Sequence, residues 1–301
     1  MTAWEALRSG GHIVAGIEIG SLTTYKLGGR ARWFCEPDSV DSLVNVVNAA
    51  NERGVDTLML GRGSNLVVSD RGYEGLVVRL KGDFRDVHVD RDAGLVAAGA
   101  AVALPVLARR VAREQLGSLE FYVGIPGSVG GAVVMNAGFY GTETSDVLAS
   151  ATLLDKRTGA VGELAADDFG FAYRTSNVTE HDLVLRAVFR VRPRPGAEVS
   201  ALMREAIRWR RDNQPGGTLN AGSIFRNPPG DAAGRIIDSL GLKGMRRGGA
   251  HVSHRHANFF VADPGTRAQD VYDLVGAVRG LVHERTGTLL EPEVRFVGRF
   301  T

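Results

Sequence analysis

Residues 123–141 read VGIPGSVGGAVVMNAGFYG, six glycines and one proline in nineteen positions around the small apolar run Ala132, Val133, Val134, Met135. Backbone without a Cβ can lie close against a neighbour or a ligand, and successive N–H groups pointing one way form a nest for anionic oxygens. A tight structural turn would explain one such cluster. A second cluster, GRGSN at 61–65, follows the strand-like run TLML at 57–60, a place where phosphate loops are common. Neither has dinucleotide-fingerprint spacing: Gly124, Gly127 and Gly130 follow G-x-x-G-x-x-G, and Gly61 and Gly63 are followed by Leu66 where the third glycine belongs. Neither matches G-x-x-x-x-G-K-[ST]. A dinucleotide held here therefore needs a fold other than Rossmann.

Outward from these loops, Trp33, Phe34 and Cys35 form a short strand ended by Pro37, and Asp38 or Ser39 can cap a helix to about Arg53 with Val40, Leu43, Val44, Val47 and Ala50 on one face. With the run at 57–60 this makes a βαβ unit, the chain resuming as a strand at Leu66, Val67 and Val68. Short β runs follow (LVVRL, VHVD, LVAAGA, SATLLD, LVLRAVFRV), interrupted by a helix over 104–114. Pro193, Pro195 and Gly196 mark a boundary, after which Val199, Leu202, Met203, Ala206 and Ile207 predict an amphipathic helix. Further helices are expected over 232–240 and 269–286, with strands in HANFFVAD and at 293–297.

The 301 residues are long for one compact domain and suggest two or three modules. With 44% hydrophobic and 23% charged residues a sizeable core is available. Thirty-six basic against 34 acidic residues leave a net charge of +2, which carries no footprint for nucleic acid. The basic clusters at 208–211 and 243–247 read as solvated helix faces or as contacts for small anions. One cysteine, Cys35, excludes an internal disulfide and fits a reducing compartment. No basic leader with an apolar core and no run of eighteen apolar residues occurs, so a cytoplasmic protein without a membrane partner is expected.

Six segments in register, GRGSNLVVSD, GIPGSVGGAVVMNAG, FAYRTS, AGSIFRNP, GLKGMRRGGAHVSHRHANFFV and LEPEVRFVG, make residues 21–298 resemble the UDP-N-acetylenolpyruvoylglucosamine reductases (UDP-N-acetylmuramate dehydrogenases). The resemblance implies an α+β, vanillyl-alcohol-oxidase-type FAD-binding fold with a C-terminal α/β substrate-binding domain. It divides the chain into an FAD-binding subdomain at 1–80, to which residues 293–301 return, a second at 81–195 and a substrate domain at 196–292. Flavin contacts are expected from Gly61, Arg62, Gly63, Ser64, Asn65 and Leu66, and from Gly124, Ile125, Pro126, Gly127, Ser128, Gly130, Gly131, Ala132, Asn136, Ala137 and Gly138. Some flavoproteins of this superfamily attach FAD through His or Cys near these loops. Neither residue occurs in 61–70 or 123–141, so noncovalent FAD is expected, with NADPH as reductant using the substrate's pocket in turn.

By position in their motifs, Ser223 resembles the family's proton donor, Arg174 the arginine that takes the substrate carboxylate, and Glu293 the catalytic glutamate. A serine after glycine otherwise serves as a loop hydrogen bonder, and Arg174 as a surface arginine. Glu291, two residues away, competes with Glu293 for one strand face. Tyr173, Asn227, Lys243 and Arg246 are expected to contact the UDP-sugar. His251, His254 and His256 lack an accompanying Cys or acidic ligand before Asp263, and no metal site is expected. No tyrosine lies between Tyr173 and Tyr272, so the chain resembles the second type of the family, which lacks a tyrosine-bearing insertion, and the GLKGMRRGG loop is the candidate lid. A monomer is expected. The alternatives are an FAD-dependent alcohol or sugar oxidase or dehydrogenase on the same scaffold, and a phosphate-binding module without redox activity.

Overall fold

The computed structural model describes residues 1–301. The chain forms two compact units, one of Met1–Val14, Trp33–Arg62 and Gly75–Trp209, the other of Ala15–Arg32, Gly63–Glu74 and Arg210–Thr301.

The first unit is built on a five-stranded antiparallel sheet in the order Val161–Ala165, Leu148–Asp155, Asp182–Arg190, Leu95–Gly99, Val87–Asp90. Helix Leu104–Arg113 buries Leu104, Leu107, Ala108 and Val111, an i, i+3, i+4, i+7 stripe, in the same core as Leu183, Leu185 and Phe189 of the sheet. Helix Val40–Glu52 starts where Ser39 Oγ accepts the Ser42 N–H at 3.3 Å. Its buried face is Leu43, Val46, Val47, Ala49 and Ala50, while Val40, the first helical residue, is exposed. Strand Thr57–Met59 then runs parallel to Tyr73–Val78 in a sheet ordered Ile13–Glu18, Arg30–Cys35, Tyr73–Val78, Thr57–Met59. The expected βαβ crossover thus leaves one place open between its strands, and a later strand fills it. Helix Ala3–Ser9, which no sequence pattern announced, opens on a Thr2–Glu5 capping box and buries Trp4 edge-on to Trp33.

Helix Gly196–Asn213 leaves part of its apolar stripe exposed. Val199 and Ala206 are buried and Met203 is partly covered, but Leu202 and Ile207 are exposed. The apolar face is about half as wide as the periodicity implied, because only one edge of the helix meets the core.

In the second unit a three-stranded antiparallel sheet, Arg246–Arg247, Ala250–Val252, Phe260–Ala262, packs under helix Ala268–Thr286. That helix buries Val271, Leu274, Val275, Val278 and Val282, and its first N–H groups, on Ala268 and Gln269, donate to the Asp70 carboxylate at 2.9 and 3.0 Å. An acidic cap nearly 200 residues away in sequence satisfies donors that a helix terminus otherwise leaves open. Leu66–Val68 pairs in parallel with Arg295–Val297. The strand expected to resume after the GRGSN loop has therefore left its first sheet altogether. Buried Tyr25 fixes the same core through its hydroxyl, which donates to Phe260 O at 2.8 Å.

Candidate active site

Within the first unit the fold brings Gly61 and Arg62 against the long glycine segment. Arg62 Nε donates to Pro126 O at 3.0 Å across 64 residues, and a Cβ on Gly61 would stand 2.6 Å from Ser128 Oγ. The backbone N–H groups of residues 61–65 donate to no acceptor in the protein, although Gly63 O accepts from Thr24 N and Asn65 O from Arg295 N. A run of donors left unspent by the fold suits the oxygens of an FAD pyrophosphate, so the residues present fit that group.

Segment 124–138 is not simply a loop. A 3₁₀ turn, Glu120–Gly124, leads through Ile125, Pro126 and Gly127 to helix Val129–Met135. Gly130 stands where a Cβ would come within 3.0 Å of the Ala100 Cβ, and its N–H donates to Ala100 O. Gly131 meets only Ser128 Oγ, at 3.7 Å. Four residues of the expected flavin contacts are also packed or bonded inside the protein. Leu66 and Ala132 are buried, and Ala137 spends its N–H on Ala132 O and its carbonyl on Thr144. The Asn136 side chain, 1% exposed, donates to Glu143 Oε2 and Ala172 O and accepts from Ser145 N. Its amide nitrogen thus makes two bonds to neighbours and its oxygen accepts one.

Arg174 sits in a tight turn closed by the Ala172–Thr175 bridge, at φ 57°, a left-handed conformation uncommon for a side-chain-bearing residue. Its Nη1 donates to Glu143 Oε1 at 3.0 Å and its Nη2 to Gly138 O at 3.3 Å. The Tyr173 ring lies 4.8 Å from the guanidinium carbon, and Tyr173 itself is exposed. The sequence offered no sign of Glu143, whose partners Asn136 and Arg174 lie 7 and 31 residues away. Tyr140, also at positive φ, was missed in the same way. Its hydroxyl donates to Glu205 at 2.6 Å, and its ring joins Phe139 and Trp209 in an aromatic cluster.

The second unit places Ser223 and Glu293 on adjoining segments. Ser223 bridges Phe259, and the N–H of Glu293 donates at 2.7 Å to the carbonyl of Ile224, the residue after Ser223. Both residues are half-buried, whereas Glu291 is exposed and uses its carbonyl to accept from Arg226 N. Asn65 adds a side-chain bond to Glu293 O at 3.1 Å. Asn227 is exposed, and its side-chain oxygen accepts the N–H of Ala233, the first residue of helix Ala233–Ser239. Lys243 is paired with Asp238 at 2.6 Å, and Arg246 with Asp263. The GLKGMRRGG loop ends in the hairpin of Arg246–Arg247 with Ala250–Val252, so part of it is held by strand pairing. No helix is long and apolar enough to cross a membrane.

Residues 31–165 match the model of an FAD-binding domain, which makes this a flavin-binding protein by class. Residues 214–297 match the C-terminal domain of UDP-N-acetylenolpyruvoylglucosamine reductase. The reductase of that name from Rubrobacter xylanophilus is 43% identical over 278 residues, 92% of this chain and 92% of its own. The one from Synechocystis is 39% identical over 286 residues, 94% of this chain and 90% of its own. The crystal structure of the reductase from Thermus caldophilus superposes with a TM-score of 0.81 at 35% identity, covering 94% of this chain and 98% of that one. The chain belongs to the UDP-N-acetylenolpyruvoylglucosamine reductase family.

Proposed function

We propose that the protein is an FAD-containing, NADPH-dependent oxidoreductase that reduces the enolpyruvyl ether of UDP-N-acetylglucosamine to UDP-N-acetylmuramate, a peptidoglycan precursor. The observation that carries this reading is the pairing of the two glycine segments, through Arg62 with Pro126 and Gly61 with Ser128, beside a row of unspent backbone donors at 61–65. Gly61, Arg62, Gly63, Ser64 and Asn65 would hold the pyrophosphate, and Ile125, Pro126, Gly127, Ser128, Gly131 and Gly138 would line the ring. FAD, held noncovalently and reduced by NADPH, supplies a hydride when bound.

The chemistry assigns the remaining roles. Hydride at the terminal alkene carbon leaves negative charge on the carbon that bears the carboxylate, and that charge spreads into the carboxylate as an enolate. Arg174, with its planar fork, binds and orients the carboxylate. Glu293 hydrogen-bonds the developing enolate, which requires its carboxyl to carry a proton. Ser223 gives its hydroxyl proton to the carbanionic carbon, and the neighbouring backbone bond from Glu293 N to Ile224 O holds the two residues together. Tyr173, Asn227, Lys243 and Arg246 contact the UDP-sugar, the last two exchanging part of their pairing with Asp238 and Asp263 for diphosphate oxygens. We further assign the chain to the second family type, to the cytoplasm and to a monomeric state, with flavin subdomains at 1–80 and 81–195 and a substrate domain at 196–292.

The test is an anaerobic absorbance trace. Purified protein should show flavin bands, bleach with one equivalent of NADPH and recover on addition of UDP-N-acetylglucosamine enolpyruvate. Ser223→Ala should leave bleaching unchanged and slow recovery about 10²-fold or more, the size expected for loss of a general acid. Bleaching without recovery in the unaltered protein would move the assignment to another flavin-dependent reaction. No flavin band after incubation with FAD would remove it.

A further inference from the structure

We propose that Glu143 is the positioning residue for Arg174, the hub of a part-buried clamp that sets the guanidinium before a substrate carboxylate arrives. This rests on the function proposed above for Arg174. The Glu143 carboxylate accepts Arg174 Nη1 on Oε1 at 3.0 Å and Asn136 Nδ2 on Oε2 at 2.9 Å, while its own backbone N–H donates to Asp146 Oδ2 at 2.8 Å at the start of helix Thr144–Val147. Two donors, one on each oxygen, fix a carboxylate that a single ion pair would leave to rotate. Asn136 then ties the tip of Arg174 to its base. The same amide nitrogen that donates to Glu143 donates to Ala172 O at 3.1 Å, and Ala172 closes the turn in which Arg174 stands at positive φ. Gly138 completes the arrangement, since its carbonyl accepts Arg174 Nη2 and a Cβ there would come within 2.7 Å of Glu143 Cγ and 3.2 Å of Arg174 Nη1.

A surface arginine samples many rotamers, and an arginine that must meet a planar carboxylate along two parallel bonds loses rate to that sampling. The pair is sheltered, with Arg174 20% and Glu143 33% exposed in their side chains. Neutralising part of the guanidinium charge costs ground-state attraction for the substrate, while orientation acts when charge develops in the transition state. The two effects predict a kcat loss with little change in KM.

The experiment is stopped-flow measurement of both half-reactions in the FAD-loaded enzyme for Glu143→Gln, Arg174→Ala and the double variant. An amide at 143 loses the charge and puts an NH₂ donor in place of one of the two oxygens that accept from Arg174 and Asn136. Flavin reduction by NADPH should stay within about twofold of the unaltered enzyme, while reoxidation by the enolpyruvyl sugar slows about tenfold or more at a half-saturating concentration changed less than about threefold. In the Arg174→Ala background the same substitution should change reoxidation less than about twofold, because the interaction it removes is already gone. Glu143→Asp, which keeps the charge on a shorter arm, should recover part of the rate. Equal slowing of both half-reactions, or a full effect without Arg174, would overturn the clamp and leave Glu143 as a helix cap. Loss of flavin from both the Gln and Asp variants would do the same. Failure of the unaltered enzyme to reoxidise with the enolpyruvyl sugar would instead overturn the proposed function, and this inference with it.

Discussion

Gly124, Gly130 and Gly138 of the long glycine segment stand where the protein itself needs the space. A Cβ on the first would overlap the Phe139 ring, on the second it would press on Ala100, and on the third it would collide with Glu143. The amides around them are largely used as well, those of Ile125, Val129, Gly130, Ala132 and Ala137 all donating within the protein. Along 61–65 the glycines are fewer, yet no backbone N–H donates inside the protein. The richer segment thus spends most of its freedom on packing, and the poorer one leaves its backbone donors unspent within the protein. Counting glycines and counting unspent donors therefore rank the two in opposite orders.

The sharpest way to break that contrast is Gly124→Ala. If packing is the reason for glycine there, overlap with Phe139 should cost about 1–3 kcal/mol of stability, read as a lowered urea midpoint, with FAD affinity of the folded fraction little changed. An unchanged midpoint would end the distinction. Gly61→Ala tests the other side. Its Cβ meets only the movable Ser128 hydroxyl, so stability should hold within about 0.5 kcal/mol while FAD binding, measured by flavin fluorescence quenching, weakens about tenfold, or ~1.4 kcal/mol. Gly131→Ala, in a helix with open space beside it, should gain up to about 0.5 kcal/mol of stability from helix propensity.

The smallest effect concerns neither segment and so serves as a control on both. Burial lowers the pKa of His251, against the opposing pull of Asp263, and burial lowers that of His256. Folded values below the unfolded value near 6.5 mean that the unfolded chain binds more protons between the two, so stability rises with pH through that window and levels off above it. Asp263 and Asp270, whose pKa values are lowered, add their own loss only once pH falls through the carboxylate range. The urea midpoint should be higher at pH 7.5 than at pH 5, by the same margin in all three glycine variants, and His256→Gln should shrink the difference.

Much of the architecture follows from local pattern. The period-3.6 stripe Leu104, Leu107, Ala108, Val111 and the cap at Ser39 announce helices that exist, and the β runs between 87 and 190 announce strands that pair. Such signals are legible because each residue's neighbours in sequence are also its neighbours in space. Helix Val129–Met135 was hidden by Gly130 and Gly131, and it forms despite their low propensity, Gly130 fitting closely against Ala100. The outer half of the stripe on Gly196–Asn213 misled in the opposite direction, since periodicity tells which residues share a face but not what covers it.

By itself the sequence determined the class of secondary structure, the family through six motifs in order, and which residue types stand ready for acid, carboxylate and phosphate chemistry. Only the tertiary structure decided how those groups are held. The contact of Arg62 with Pro126, the parallel ladder of Leu66–Val68 on Arg295–Val297, the cap that Asp70 places on helix Ala268–Thr286 and the Glu143 clamp on Arg174 all join residues dozens to hundreds of positions apart. No local propensity encodes such contacts, because their loop-closure entropy is offset only when the two cores have formed and the buried polar groups must find partners.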